Sequence, residues 1–251
     1  MRKDLPDHRV KSELFDEFAR IGRALASGRR IEIIDILANG ERTVESLAEQ
    51  VRMSVANTSQ HLQVLHEAGL LTRRRQGTSV HYMLAAPRVY EFWADLRALA
   101  AERLAAVEKL ARAYVGPDGG VVPVSRQELL RRLRAREPLV VVDVRPVEEY
   151  EDGHLPDAIS IPLDELERRL KLLPKKREVV AYCRGPYCAF APEAVRRLRA
   201  RGYRARPLED GLPEWAAEGL PVVTEQDLTP AGYRKVSRAA RLRRRLAPAG
   251  P

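Results

Sequence analysis

Cysteine is scarce in this chain: Cys183 and Cys188 are the only two among 251 residues. Two cysteines cannot form the framework of a disulfide-stabilised domain, and no apolar stretch typical of a secretory signal lies near the first residues. We therefore expect a cytoplasmic protein whose thiols are reduced and have a reactive role. No apolar run approaches the roughly 20 residues that cross a bilayer, so no membrane partner is predicted.

Internal repeats of useful length are also lacking, and 251 residues with 45% hydrophobic content suffice for two ordinary globular domains. A dense run of Gly, Pro and Asp predicts a linker at 115–121. We expect a mainly α DNA-binding and dimerisation domain at 1–114 and an α/β domain with a parallel sheet at 122–223. Residues 224–251, with seven basic and two acidic residues, are predicted to form a disordered basic tail.

The first half has the pattern of a helix-turn-helix. Apolar residues recur at helical spacing over 14–39, and Ser27-Gly28 divides this stretch into two helices. Thr43 and Ser54 are each placed to cap a following helix, with a tight turn at 51–53 between those helices. Two short helices joined by such a turn are typical of DNA-binding proteins.

The second helix of this pair has short polar side chains near its amino end, which can read base edges in a major groove. Alternating residues at 70–84 predict a β-hairpin with an arginine run at its tip. Between Val51 and Tyr90, five arginines and one acidic residue favour contact with phosphates. The predicted contacts with double-stranded DNA are Ser54, Asn57, Thr58, Ser59, Gln60, His61, Gln63, Arg73, Arg74 and Arg75.

A long helix is predicted over 87–114, with a broad apolar face that suits a dimer interface. The alternative is that this face packs within the chain's own core. No metal site is predicted, because His61 and His66 lie on different faces of their helix. With a net charge of +9, the chain favours a polyanionic partner.

In the second half, strands alternate with helices at short spacing. The predicted strands are 139–145, 158–162, 178–182 and 203–208, and the predicted helices between them are 147–153, 165–172 and 191–201. This alternation is typical of a parallel sheet covered on both faces, whose chemistry collects at the carboxyl ends of the strands. Asp143, Arg145 and Cys183 all lie at such ends.

Cys183 follows a β-branched run and precedes a Gly/Pro loop and the start of a helix. Backbone N–H groups of the loop and the helix dipole would favour an anion there, so we expect the pKa of this thiol to be lowered. The thiolate is the species that carries out sulfur chemistry.

The segment LAEQVRMSVANTSQHLQVLHEAGLLTRRRQGTSVHYML, at 47–84, closely resembles the ArsR/SmtB family of winged-helix repressors. The resemblance implies a homodimer, held by the first and last helices of the domain, that binds an imperfect palindrome. Metal-sensing members carry a Cys-x-Cys type pair on the helix before the recognition helix. Residues 45–50 contain no thiol there, so the usual metal sensor is missing.

The second half closely resembles the rhodanese domain in VVDVRPVEEYEDGHLPDAISIP, VVAYCRGPYCAFAPEAVRRLRARGY and LEDGLPEWAAEGLPV. The resemblance implies that the Cys183 thiolate attacks the outer sulfur of thiosulfate or another small sulfane donor, giving a persulfide. Arg184 would assist an anionic donor, and Asp143 and Arg145 would support the loop. The main-chain amides of the loop would form an anion nest at Gly185, Pro186, Tyr187, Cys188 and Ala189. His154 is interpreted as structural.

The loop can be compared with that of another enzyme class. A phosphatase or arsenate reductase with this architecture needs an arginine where Ala189 stands, so the clamp for its oxyanion is absent here. The role of Cys188 stays open: it either resolves a modified Cys183 by forming a disulfide or packs as a small apolar group.

The sequence favours a regulator whose rhodanese domain senses sulfane sulfur or oxidant. The alternatives are a sulfurtransferase carried on a DNA-binding dimer and a domain that only binds or scaffolds; no cofactor is predicted.

Overall fold

The structure is a computed structural model that describes residues 8–116 and 120–224. Part of the predicted linker, 117–119, and the predicted tail beyond Thr224 lie outside the described residues. The chain divides into two compact units, 1–99 and 100–251. Across the parts that the structure describes, no helix is both long and apolar enough to cross a membrane.

The first unit is mainly helical with a small antiparallel sheet in the order β1-β3-β2. Its elements are α1 (His8–Leu25), α2 (Gly28–Leu37), β1 (Arg42–Thr43), α3 (Val44–Gln50), α4 (Val55–Glu67), β2 (Leu71–Gln76), β3 (Ser79–Leu84) and α5 (Pro87–Arg103), whose last residues extend past the unit boundary. The predicted helix-turn-helix and hairpin are confirmed. The arginine run 73–75 lies within β2, however, and not at the tip of the hairpin, because the strands extend to Gln76 and start again at Ser79. Strand β1 was not predicted, because two residues are too few to show an alternating pattern.

Both predicted caps of the helix-turn-helix are present. Thr43 Oγ1 accepts a hydrogen bond from the Ser46 amide at 3.2 Å, and Ser54 Oγ accepts one from the Asn57 amide at 3.3 Å. Each cap satisfies an amide that the helix itself leaves without a partner. The apolar stripes of the helices meet in one core, whose fully buried members include Ile33, Ile34, Leu47, Leu62 and Leu65.

The prediction of one long helix over 87–114 is wrong. Leu104 has an extended backbone (φ −117°, ψ 96°) and separates α5 from a second helix, α6 (Ala105–Val115). Neither glycine nor proline stands at this break, so the sequence gives no local signal for it. The apolar side chains Phe92, Leu99, Leu110 and Tyr114 are about half or more exposed, so they do not form a core within the chain.

The second unit contains a four-stranded parallel sheet in the order β5-β4-β6-β7. After α6, its elements are α7 (Arg126–Arg134), β4 (Leu139–Asp143), α8 (Val147–Asp152), β5 (Ile159–Ser160), α9 (Leu166–Arg169) with a 3₁₀ turn (Leu170–Leu172), β6 (Glu178–Tyr182), α10 (Phe190–Ala200), β7 (Ala205–Pro207) and α11 (Leu212–Ala217). The predicted α/β class with a parallel sheet is confirmed.

Alternation along β4 explains why the sheet has a core on each face. Val140 and Val142 pack with α10 residues in one cluster, whereas Val141 packs in the other with Trp215 of α11. The predicted strand 178–182 is confirmed with the same bounds, whereas the other three predicted strands are longer than the observed ones. The predicted helix 165–172 is divided into α9 and a 3₁₀ turn. In register, Asp143 pairs with Tyr182, so the carboxyl ends of β4 and β6 are adjacent.

Candidate functional site

The thiol loop, residues 183–189, connects the end of β6 to the start of α10. Cys183 follows the last strand residue and is 3% exposed, whereas Cys188 is half-buried. Both cysteines are free thiols. Cys183 Sγ lies 3.5 Å from the carbonyl oxygen of Cys188 and also donates to the carbonyl of Gly185. The predicted nucleophile is therefore at the expected end of its strand, but it is more enclosed than we expected.

Main-chain N–H groups are directed at both sulfurs. The amides of Gly185 and Ala191 donate to Cys183, and those of Arg184 and Phe190 donate to Cys188. Two of these donors belong to the first turn of α10, beyond the predicted nest. A helix start supplies unpaired N–H groups, which is the signal that could have extended the prediction to Phe190 and Ala191.

Several predicted nest residues have other roles. Pro186 has no amide hydrogen, and the Cys188 amide donates to the Gly185 carbonyl at 3.1 Å. Tyr187 is partly exposed at the turn, and Ala189 is the residue before the first turn of α10. The nest is therefore smaller than predicted within the loop and larger at the helix. Gly185 adopts φ +148°, a conformation that favours glycine.

The expected lowering of the Cys183 pKa is wrong. Burial raises the pKa of the Cys183 thiol well above its usual value, and its hydrogen bond to Cys188 raises it further. That same hydrogen bond lowers the pKa of Cys188 to about 7, with help from the Arg184 and Phe190 amides. Cys188 is therefore the more readily ionised of the two thiols, and its pKa lies near neutral pH.

A chain of buried charges lies beneath the loop. Asp143 and Arg145 are fully buried and joined by hydrogen bonds, the shortest at 2.6 Å. Arg145 Nη1 lies 4.0 Å from a carboxylate oxygen of Glu149, and Glu149 binds Arg184 through both carboxylate oxygens at 3.0 and 3.1 Å. Two carboxylates and two guanidiniums thus alternate from the end of β4 to the thiol loop.

Tyr182 connects this chain to the residue before Cys183. Its hydroxyl donates to Asp143 at 2.5 Å and accepts from the Leu155 amide at 3.1 Å. Burial raises the pKa of Tyr182 well above 10, so the hydroxyl keeps its proton. Burial opposes the charge of Arg145, but the hydrogen bonds and charge of Asp143 outweigh it and raise the pKa of the guanidinium. Asp143 and Arg145 are thus connected to the thiol loop through Tyr182 and Glu149.

Arg184 was predicted to assist an anionic donor, but its guanidinium is directed elsewhere. Its Nε and Nη2 atoms bind Glu149, and its Cζ lies 5.2 Å from the centre of the Phe190 ring. The geometry therefore assigns Arg184 to holding the loop against α8. Glu149, which sequence reasoning missed, is its buried partner.

A second element missed from the sequence is Gly211, just before α11. A side chain added there would stand 2.3 Å from the Gly185 nitrogen and 2.6 Å from the Cys183 carbonyl oxygen. Glu214 accepts the Gly211 amide at 2.9 Å, and its carboxylate faces Gly185. The segment 208–222 supported the resemblance, yet only the folded chain brings it against the loop.

A cavity of about 410 Å³ opens beside the thiols. Both cysteines line it, with Arg196, Arg199 and Glu209 as its charged residues. The apolar part of the lining includes Val121, Pro123, Pro186, Pro192, Val195, Pro207 and Leu208. The arrangement gives a small molecule access to the sulfurs.

The candidate nucleic-acid interface lies on α4 and the hairpin. Asn57, Ser59, Gln60, Gln63, Arg73, Arg74 and Arg75 are exposed as predicted, His61 is half-buried, and Ser54 is exposed but also caps α4. Thr58 cannot reach a base, because it is fully buried and its hydroxyl donates to the Ser54 carbonyl at 3.0 Å.

Other predicted DNA contacts also have partners within the protein. Arg75 Nε donates to the Gly77 carbonyl at 3.2 Å. Arg74 forms an ion pair with Glu41, which lies outside the segment whose charge balance we considered. Gln63 donates to Glu67 at 2.8 Å. In the described ranges, no group of three or more His, Cys, Asp or Glu residues could hold a metal ion.

Comparison with known proteins supports both halves of this description. Residues 27–73 match the family model described as "Bacterial regulatory protein, arsR family", and residues 125–218 match "Rhodanese-like domain". The HTH-type transcriptional regulator Rv0324 of Mycobacterium tuberculosis is 46% identical over 212 residues, covering 84% of this chain and 92% of its own length. A sulfurtransferase of Allochromatium vinosum is 34% identical over 41% of this chain and 95% of its own.

Among solved structures, the homodimeric winged helix-turn-helix domain of Mb0332 from Mycobacterium bovis is 39% identical, with a TM-score of 0.38. It covers 41% of this chain and 94% of its own. The sequence matches, which extend over nearly the whole length of the Mycobacterium tuberculosis regulator, settle the family. The chain belongs to the ArsR family of bacterial regulatory proteins and carries a rhodanese-like domain after its helix-turn-helix.

Proposed function

We propose that this ArsR-type transcriptional regulator is a homodimeric repressor whose affinity for operator DNA depends on the chemical state of Cys183 and Cys188. The observation that carries the proposal is the pair of free thiols, each with two main-chain N–H donors, that line a cavity. The same chain presents an exposed helix-turn-helix. A sulfane-sulfur donor or an oxidant is the signal that suits such a pair.

DNA binding is assigned to α4 and the hairpin. Asn57, Ser59 and Gln60 lie exposed at the amino end of α4, where short polar groups can reach base edges in the major groove. Arg73 and Arg75 are exposed on β2 and would contact phosphates beside that groove. Base contacts would select the sequence, and phosphate contacts would fix the position of the protein.

Dimerisation is assigned to α1 and α5. Phe15 and Phe18 on α1 are 59% and 61% exposed, and their rings contact edge to face with centres 5.9 Å apart. Phe92 and Leu99 on α5 are about half exposed. Large apolar side chains exposed in groups are typical of an interface with another chain. A second copy would bury them and would place two recognition helices on a palindromic site.

The thiol chemistry would proceed in two steps. A thiolate at Cys183 attacks the outer sulfur of the donor, so that the donor leaves with the electron pair of the broken S–S bond. Cys183 then carries a persulfide, whose negative charge the Gly185 and Ala191 amides would stabilise. The Cys188 thiolate next attacks the inner sulfur, which forms a disulfide and releases hydrosulfide.

The easier ionisation of Cys188 is compatible with a first attack by Cys183 and a second attack by Cys188. Each thiol shifts the pKa of the other, and transfer of the Cys183 proton to the Cys188 thiolate would supply the attacking thiolate. Only one proton moves, and the net charge of the pair does not change. After the first step, Cys188 loses that proton again and becomes the second nucleophile. Formation of the disulfide would rearrange the loop 183–189 and its contacts.

A sulfurtransferase carried on a DNA-binding dimer is the second candidate. The open cavity beside the thiols also suits an enzyme, because turnover requires repeated entry of the donor and release of the product. The first candidate predicts a stoichiometric reaction that changes DNA affinity. The second predicts turnover from thiosulfate to cyanide that Cys183→Ser abolishes, with no change in DNA affinity.

The test uses DNA that the reduced full-length protein selects from a random duplex pool. Affinity is measured by fluorescence anisotropy before and after treatment with inorganic polysulfide. We expect the treatment to change the affinity of the wild-type protein but not of Cys183→Ser, and Cys188→Ser to respond differently from wild type. Equal affinities of the three proteins, each measured before and after treatment, would refute the thiol-dependent switch. They would leave the DNA-binding assignment intact.

A further inference from the structure

The cavity beside the thiols has the size of a site for an organic molecule. Its volume is about 410 Å³, which lies within the usual range of about 300–1,000 Å³ for small-molecule sites. Thiosulfate is a small inorganic dianion without apolar surface, so it would leave most of this volume and its apolar lining without a partner.

Apolar residues form most of the wall. Pro192 and Val195 of α10 stand on one side, and Pro207 and Leu208 stand on another. A dianion in this apolar part of the cavity loses hydration without gaining hydrogen-bond donors there, which is unfavourable. An apolar body gains free energy instead, by about 25 cal/mol for each Å² removed from water.

The charged part of the lining favours a single anionic group on the ligand. Arg196 and Arg199 are three residues apart on α10, and both line the cavity. The carboxylate of Glu209 also lines it, so positive side chains outnumber negative ones by two to one. Arg196 is paired with Glu193 at 2.6 Å, while Arg199 contacts the Ala205 carbonyl through one nitrogen at 3.4 Å. Arg184, the cation of the loop itself, is held by Glu149.

We propose that this cavity binds an organic persulfide with an apolar body and a carboxylate, as the donor of sulfane sulfur to the thiol pair. The inference rests on the proposed function and names the class of its signal molecule. The apolar body would lie between α10 and β7, the carboxylate would lie near Arg199, and the terminal sulfur would be at Cys183.

The reaction balances without a further reagent. The Cys183 thiolate bonds to the terminal sulfur of R–S–SH, the S–S bond of the donor breaks, R–S⁻ leaves with its electron pair, and Cys183 becomes a hydropersulfide. Attack by the Cys188 thiolate then forms the disulfide and releases HS⁻. The thiol pair loses two electrons, and the sulfane sulfur gains them as it becomes sulfide.

The experiment compares three donors with the reduced full-length protein: 4-carboxybenzyl hydropersulfide, benzyl hydropersulfide and thiosulfate. The measured quantity is the initial rate of protein disulfide formation, determined by mass spectrometry. We expect the carboxylated persulfide to react fastest, the benzyl persulfide about tenfold more slowly, and thiosulfate slowest of all. Equal rates for thiosulfate and the two organic donors would overturn the proposal.

Matched variants locate the effect in the cavity. Pro192→Trp fills part of the cavity and should slow both organic donors about tenfold, whereas Ala200→Trp, exposed on the same helix, should not. Arg199→Gln should remove the preference for the carboxylate. Arg201→Gln, which breaks an exposed pair with Glu167 at the end of α10, should preserve it. Indistinguishable behaviour of Pro192→Trp and Ala200→Trp would exclude this cavity.

A binding measurement separates this inference from the proposed function. The methyl thioether of 4-carboxybenzyl thiol cannot transfer sulfur, and calorimetry should detect its binding to wild type and its weakening in Pro192→Trp. Binding of the thioether without sulfur transfer from any donor would support the ligand class while refuting the thiol switch. Sulfur transfer without thioether binding would refute the cavity assignment and leave the switch intact.

Discussion

At the scale of single residues, the thiol pair divides its properties between two cysteines. Cys183 is enclosed and donates a hydrogen bond, while Cys188 is more exposed and accepts it. Burial of a thiol disfavours the thiolate, and a hydrogen bond to sulfur favours it. The first effect dominates at Cys183 and the second at Cys188, so the more exposed sulfur ionises more readily.

This division predicts a pH profile for alkylation by iodoacetamide. Labelling of Cys188 should rise with pH through about 7, the value to which its pKa is lowered. Cys183→Ala removes the hydrogen-bond donor and should move the midpoint upward, toward that of an ordinary thiol. Cys183→Ser keeps a donor and should give an intermediate midpoint. Site-resolved mass spectrometry measures the rates, and faster labelling of Cys183 than of Cys188 near pH 7 would contradict the assignment.

The buried charges give a prediction of stability. Asp143→Asn removes the nearer of the two carboxylates that face the fully buried Arg145, which should cost about 3–5 kcal/mol. Glu167→Gln, which removes an exposed pair with Arg201, should cost at most about 1 kcal/mol. Urea unfolding followed by Trp215 fluorescence, with Trp93→Phe as the common background, measures both. Equal costs for the two substitutions would show that the buried pair adds no stability.

At the scale of elements, α11 holds the thiol loop through close backbone contact. Gly211→Ala would place a methyl group against the main chain of 183–185, so the loop must move. A displacement of the reacting atoms by about 1 Å can cost about 100-fold in rate, and we expect a loss of that order in disulfide formation by polysulfide. Gly28→Ala, where nothing lies within 4 Å, is the matched control. An unchanged rate in Gly211→Ala would show that α11 does not position the loop.

The hairpin gives a prediction that distinguishes neighbouring arginines. Arg73→Gln should weaken DNA binding and reduce the slope of log K against log salt by about 0.9, as expected for one lost phosphate contact. Arg74→Gln should have a smaller effect, because Arg74 is paired with Glu41. Glu41→Gln should strengthen binding by releasing that arginine. Identical slopes for Arg73→Gln and wild type would remove the hairpin from the interface.

Elements were predictable from sequence where a repeated pattern or a cap defines them. The caps Thr43 and Ser54 and the apolar stripes placed the helix-turn-helix, and the β-branched runs placed β4 and β6. The break at Leu104 was not predictable, because an ordinary helix-forming residue adopts the extended conformation there. The position of a break without glycine or proline depends on tertiary contacts that one sequence does not display.

The position of the thiol site was predictable from the sequence, but the ionisation of its two cysteines was not. Strand and helix signals put Cys183 beside an anion nest, yet ionisation depends on depth of burial and on which sulfur donates the shared proton. The partnerships of Arg184 with Glu149 and of Arg74 with Glu41 link residues that are 35 and 33 positions apart. Such contacts form only in the folded chain. They give internal partners to Arg184 and Arg74, which the sequence had predicted to bind an anionic donor and DNA.

At the scale of the whole molecule, the exposed aromatic side chains predict the assembly. Phe18→Glu places a charge in the proposed dimer interface on α1 and should produce monomers that bind DNA more weakly. Leu172→Glu, at a residue of similar exposure in the rhodanese-like unit, should leave the dimer unchanged. Sedimentation velocity measures the oligomeric state. A dimer that persists in Phe18→Glu would place the interface elsewhere.

The chain just after the linker region is itself part of the cavity wall. Pro123 lines the cavity, and the Val124 amide donates to the Pro207 carbonyl at 2.8 Å, which fastens this stretch along β7. Arg206 binds the carbonyls of Val122 and Pro123 as well. A ligand bound in this cavity of the rhodanese-like unit would therefore also contact Val121 and Pro123, so its affinity would depend on how firmly β7 holds the stretch 121–124.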